Sequence, residues 1–180
     1  GGVAYLVMEL LHGHSLEKEL EDETQLTPRR CAEIVVPVCL ALAAAHAAGV
    51  VHRDIKPSNV FLHRTPQGEV PKILDFGIAK MTREAALGQS LTVDGSLLGT
   101  PAYMAPERFR RGPYGTSSDI YSLGVVLYEM LTGRLPFIPG SADPLALVAM
   151  QAEEDPPPLR LRTSSISLTK PSSDWKTDPS

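Results

Sequence analysis

Apolar residues along the chain change period several times, and each change marks an element. Val3 to Leu11 is a short apolar run rich in strand formers that ends at Gly13, which predicts a buried strand leaving into a loop. Ser15 can then cap a short helix over Leu16–Glu21. Thr27-Pro28 supplies a hydroxyl N-cap and a first-turn proline, and Gly49 is a natural stop, so a long helix is expected between them. Within it Cys31, Ile34, Val35, Val38, Leu42 and Ala45 recur every three or four residues and form one core-facing stripe. Pro37 interrupts that helix and should kink it at a cost of about 3 kcal/mol.

Val50-Val51, Val60 to Leu62 and Val70 to Leu74 are strand-like, the last two joined by a turn containing Pro66-Gln67-Gly68. Residues 78 to 118 show no sustained period and read as one long irregular segment, which inside a compact domain is usually functional. Ser117 or Ser118 should cap a helix over Asp119–Thr132, apolar nearly all round, ending at Gly133 and buried at the centre of the fold. A further helix is expected over roughly Asp143–Ala152. After Pro156 the chain turns rich in Pro, Ser and Thr, and such a tail buries too little apolar surface to offset the ordering of its backbone.

Composition narrows the function classes. The 180 residues carry 17 Lys+Arg against 21 Asp+Glu, a net charge of −4, which disfavours nucleic acid as a partner. Cys31 and Cys39 lie eight apart on one helix, too far for a disulfide, and no Cys/His spacing suggests zinc. The apolar stretch Ile120–Leu131 is too short to cross a bilayer, so no membrane segment is expected within this chain and its location is expected to be cytoplasmic. Because the chain opens on Gly1 without a leader pattern, it is expected to be a fragment whose parent could be anchored elsewhere.

The chemistry concentrates in His52-Arg53-Asp54-Ile55-Lys56-Pro57-Ser58-Asn59, followed after the predicted hairpin by Asp75-Phe76-Gly77. Asp54, Asn59 and Asp75 offer oxygens at the ends of neighbouring strands. An amide with a carboxylate suits magnesium, a hard cation that takes few protein oxygens beside water and phosphate. Lys56 supplies a compact positive charge for a phosphate oxygen, and Asp54 can accept a hydrogen bond from an attacking hydroxyl. These are the parts that phosphoryl transfer requires.

With Ala105-Pro106-Glu107 as a third signature in the right order, the sequence resembles the eukaryotic-like protein kinases, from about Val3 to about Pro158. The resemblance implies a mainly α fold with short β hairpins, the large C-terminal lobe of a kinase, with residues 1–158 the catalytic part and 159–180 a disordered tail. It implies a protein serine/threonine kinase that uses ATP and Mg2+ to phosphorylate Ser or Thr of protein substrates. Asp54 would be the catalytic aspartate, Lys56 the γ-phosphate lysine, and Asn59 and Asp75 the magnesium ligands. Met8 would be the gatekeeper, Glu9 and Leu11 the hinge residues facing adenine, Phe61 the floor under adenine, and Ser15 the ribose contact. Lys56 together with Gly99-Thr100-Pro101 resembles the Ser/Thr branch, with Thr100 hydrogen-bonding near Asp54 and Lys56. Asp119 would brace the catalytic-loop backbone, Tyr121 has a bacterial look, and His52 would pack on Phe76. Arg53 before Asp54 implies ordering of the activation segment by phosphate, with Thr92 a better placed autophosphorylation site than Ser90 or Ser96.

The resemblance also implies parts that these residues do not contain: a glycine-rich loop, a strand lysine and a helix glutamate. The small lobe is therefore expected to be missing and the fragment inactive alone. Neither Arg160 nor Arg162 sits where the family places the partner of Glu107. The alternative reading is a non-catalytic, kinase-like module that docks proteins.

Overall fold

The computed structural model describes residues 7–76, 92–93, 96–97, 101–109, 115–139 and 144–159. The expected strand does not form on the described part of Val3–Leu11: residues 7–12 lie in no strand, and β1 is Gly13–Ser15. Those three residues take the edge of β2, while Val7 and Leu10 stay exposed. Gly13 permits the approach, because at its φ of +140° a Cβ would lie 2.0 Å from the carbonyl oxygen of Leu62.

Ser15 ends β1 and caps α1, Leu16–Glu23, its Oγ accepting from the Lys18 amide at 3.2 Å. The helix runs past Glu21, where Lys18 Nζ lies 2.8 Å from Asp22 Oδ1 one turn on and supports the last turn. Thr27 Oγ1 caps α2, Pro28–Ala47, at the Arg30 amide, and the helix continues through Pro37. Cys31, Ile34, Val38 and Leu42 of the expected stripe are buried, with Val35 packed against them, whereas Ala45 is only partly covered. Both cysteines are free thiols. Val50 is no strand residue, since its amide bonds back to Ala45 O and closes the helix end around Gly49 at φ +75°.

The expected hairpin forms from β2, Val60–Thr65, and β3, Gly68–Ile73, with Thr65 opposite Gly68 and Phe61 opposite Lys72. β1 completes a three-stranded antiparallel sheet in the order β1-β2-β3. Val60 and Leu62 alternate into the core. Arg30 ties α1, α2 and β3 together: its Nε and Nη2 bond both oxygens of Glu19 at 2.7 and 2.8 Å, and Nη2 lies 2.7 Å from Glu69. That guanidinium holds the Glu19 carboxyl below the usual range.

A second antiparallel pair, β4 Thr92–Val93 and β5 Ser96–Leu97, falls within the segment expected to be irregular, followed by a one-turn helix at Pro101–Tyr103 and α3, Pro106–Phe109. Ser90, Thr100, Arg160, Arg162 and the tail beyond Leu159 lie outside the described residues. α4 spans Thr116–Thr132 and begins three residues before Asp119, with Gly115 rather than a serine at its N-cap. Ser118 sits at the third helical position, its Oγ accepting from the Gly115 amide at 3.5 Å and donating to Glu107 Oε1 at 2.6 Å. Nor is α4 apolar all round. Ser118, Asp119 and Ser122 face inward with Val125, Val126 and Met130, while Ile120 is exposed. α5, Pro144–Glu153, starts and ends within one residue of expectation.

Leu16, Leu26, Ile34, Val38, Leu42, Val60, Leu62, Leu123, Val126 and Met130 meet in one core between α2, the sheet and α4. Ile120–Leu131 was the stretch weighed above for a membrane span, but α2 is the described helix that is long and apolar enough to cross one, with mean hydropathy 1.5 over 18 residues. Its buried stripe belongs to this shared core.

Gly133 closes α4 at φ +69°, its amide bonded to Glu129 O, and a Cβ there would lie 2.6 Å from Thr24 O. Gly133→Ala therefore combines left-handed strain with a backbone clash. It is expected to lower the unfolding free energy by about 2 kcal/mol, read from urea denaturation against the parent chain.

Candidate active site

The loop between α2 and β2 is held from below by one carboxylate. Asp119, 1% exposed in the first turns of α4, accepts the amide of His52 on Oδ2 and that of Arg53 on Oδ1, each at 2.8 Å. His46 of α2 stands 2.7 Å from the same Oδ2. Arg53 sits at φ +69°, a left-handed conformation that a non-glycine side chain disfavours, so these bonds offset local strain. The brace expected at Asp119 is present, and His46 of α2 is part of it.

His52 locks the loop to the far side of the hairpin. Its Nδ1 accepts from the Asp54 amide at 3.2 Å, which assigns the proton to Nε2, and Nε2 donates to Leu74 O at 2.8 Å. Its ring lies 4.7 Å from that of Phe76, as the resemblance implied. Leu74 in turn donates its amide to Asn59 O. Asn59 and Asp75 thus stand at neighbouring positions where the β2–β3 ladder ends.

Asn59 Nδ2 donates to Asp54 O at 2.8 Å and to Asp54 Oδ2 at 3.2 Å, while Lys56 Nζ lies 3.4 Å from the same Oδ2. Asp54, Lys56 and Asn59 are therefore one constellation, and Asp54 and Lys56 line a cleft walled by Tyr103, Met104 and Ser122. The two amide bonds also decide which end of Asn59 is nitrogen, leaving Oδ1 as its remaining acceptor. Asp75 is exposed at φ +54°. An amide oxygen and an open carboxylate at adjoining ladder ends fit a magnesium ion that keeps further positions for water and phosphate.

The expected nucleotide residues gather less tightly. Phe61 is half-buried between cross-strand partners Ser15 and Lys72, which share its face. The Glu9 carboxylate pairs with Lys72, whose ammonium holds Glu9 below the usual carboxylate range, so the segment before β1 is tied to the strand beside Phe61. Ser15 Oγ already accepts from Lys18, leaving its hydroxyl proton for another acceptor. Met8 is 68% exposed, and Leu11 is partly covered. Thr100 lies outside the described residues.

On the other side of the cleft, Tyr103 donates to Glu129 Oε2 at 2.7 Å. Burial pushes the Glu129 carboxyl up and the Glu17 carboxylate adds to the rise, opposed by the Tyr103 hydrogen bond. Burial and Glu129 likewise raise the Tyr103 phenol. Glu107 finds Ser118 as its hydrogen-bond partner, and Arg108, buried beside it in sequence, reaches to 3.5 Å from Arg53 O. No local pattern signals these pairings, because each joins residues 11 to 55 positions apart.

A carboxylate, an ammonium and an amide held rigidly at a hairpin mouth is the kind of arrangement phosphoryl transfer uses. Comparison with known proteins agrees: residues 2–170 match the protein kinase domain family. The serine/threonine-protein kinase pkn3 of Myxococcus xanthus is 43% identical over 89% of this chain and 29% of its own length. A probable serine/threonine-protein kinase of Corynebacterium efficiens is 38% identical over 93% of this chain and 24% of its own. For the serine/threonine-protein kinase PknB of Mycobacterium tuberculosis the figures are 37%, 93% and 26%. The chain belongs to the protein kinase domain family, and it spans about a quarter of the length of these relatives.

Two outcomes follow from the buried carboxylates. Asp119→Asn presents an N–H to groups that need an acceptor and is expected to cost about 3 kcal/mol of stability, measured by urea denaturation. For Glu129 the folded state holds its proton more tightly than the unfolded chain does. Stability due to this group is therefore greatest below the ordinary carboxylate range and declines as pH rises from there through the raised folded value. Glu129→Gln is expected to flatten that decline, seen by comparing denaturation midpoints of the two chains across that range.

Proposed function

We propose that this chain is the large lobe of an ATP- and magnesium-dependent protein serine/threonine kinase, acting on Ser or Thr hydroxyls of protein substrates. The observation that carries the reading is the Asp54, Lys56 and Asn59 constellation at one cleft, with Asp54 oriented by Asn59 and set beside Lys56. Asp54 would accept the hydrogen bond of the incoming hydroxyl, aim its oxygen at the γ-phosphorus, and take the proton as the new O–P bond forms and the bond to ADP breaks. Lys56 would lie against a γ-phosphate oxygen and neutralise charge that spreads onto it. Magnesium held by Asn59 Oδ1 and Asp75 would supply charge neutralisation on the ATP phosphates. Phe61 would lie under adenine, Met8, Glu9 and Leu11 along its edge, and Ser15 near the ribose. Thr100 would secure the hydroxyl side of Asp54.

The ATP site reads as one wall here, so phosphoryl transfer is proposed for the parent protein and not for these 180 residues alone. A cytoplasmic location follows from the same reading. Thr92, on β4, is the proposed autophosphorylation site.

The test is transfer of radiolabelled phosphate from ATP to a Ser- or Thr-containing protein by the full-length protein. Asp54→Asn should lower kcat by about a thousandfold with the thermal midpoint little changed. Robust, magnesium-independent or Asp54-independent labelling would sink the assignment, and binding of a partner without any transfer would favour the docking-module reading.

A further inference from the structure

Tyr103, the last residue of the one-turn helix Pro101–Tyr103, lines the same small cleft as Asp54 and Lys56. The turn is short, and Met104 N donates to Pro101 O at 3.1 Å. Its position is set from outside. Tyr103 is tethered to Glu129 of α4, and from α5 the side chain of Gln151 donates Nε2 to Pro101 O at 3.2 Å and to Ala102 O at 3.1 Å. Two carbonyl acceptors demand the NH2 end of the amide, so its orientation is settled by chemistry.

Gln151 is 6% exposed, and its Oε1 is buried with no hydrogen-bond partner among the described residues. An orphaned buried acceptor opposes folding, and a side chain needed only for packing would be apolar here. The two N–H donors account for an amide at this place. Resting on the kinase reading above, we propose that Gln151 is a positioning residue for the protein substrate, holding the Pro101–Tyr103 turn against the Asp54 cleft through its two carbonyls. The residue touches neither Asp54 nor Lys56 in the hydrogen bonds and ion pairs described. Its influence is therefore expected on peptide binding and not on ATP binding.

Gln151→Met keeps the length and apolar body of the side chain and removes both donors. Gln151→Glu keeps the shape and likewise has no N–H. In the 180-residue chain, amide hydrogen exchange at Met104 should speed up by about tenfold in both variants while the α2 core amides stay unchanged. In the full-length protein both should raise KM for a Ser peptide by about fivefold with KM for ATP unchanged. Unchanged Met104 exchange in Gln151→Met overturns the proposal, as does a peptide KM equal to that of the parent. Failure of the parent protein to transfer phosphate would instead strike the kinase reading, which the exchange measurement does not depend on.

Discussion

Everything at the site hangs on the Asp119 carboxylate. A loop carrying Arg53 at positive φ would relax if left to itself. Two backbone amides donated to one buried carboxylate hold it in place, and His46 steadies the same oxygen from α2. The carboxylate arrives on α4, the helix that also contributes Leu123, Val126 and Met130 to the core. Hydrophobic packing thereby fixes where Asp119 stands, and Asp119 fixes the loop above it. Asp54 and Lys56 sit on the loop, but their placement is inherited from the core.

The loop passes that placement on through short links. His52 joins it to Leu74, Leu74 joins β3 to Asn59, and Asn59 returns to Asp54. The circuit closes on itself within the described residues. It explains why a histidine in the family's signature works structurally here: both ring nitrogens are engaged, one as acceptor and one as donor. On the other side of the cleft a second set of links, Tyr103 with Glu129 and Ser118 with Glu107, ties the segment before and within α3 to α4. One helix therefore serves both walls of the cleft.

Much of this was legible residue by residue. Ser15 and Thr27 cap helices because a hydroxyl before a polar first turn meets orphan amides, and Gly133 ends α4 because the left-handed cap requires it. The β2–β3 hairpin followed from alternation around Pro66-Gln67-Gly68. Where expectation failed, another segment or the end of the preceding helix had intervened. The apolar run at Val3–Leu11 scores as a strand on composition, yet in its described part β2 pairs with Gly13–Ser15 instead. Ser118 looks like a cap by position, but Glu107 takes its hydroxyl, and α4 starts at Thr116. Val50-Val51 has strand formers, and the end of α2 claims the Val50 amide.

The sequence by itself determined the order and identity of the candidate site groups, because Asp54, Lys56, Asn59 and Asp75 stand at fixed spacings around a hairpin whose turn is locally encoded. The antiparallel hairpin returns the chain after Ile73 to the side of Asn59, so these groups share one mouth once the loop is held. Only the tertiary structure decided what holds them: Asp119 lies 66 and 67 residues from the amides it accepts, and Gln151 lies 49 and 50 from the carbonyls it anchors. Such pairs obey no period. They form where packed helices bring one carboxylate or one amide against backbone groups far away in the sequence.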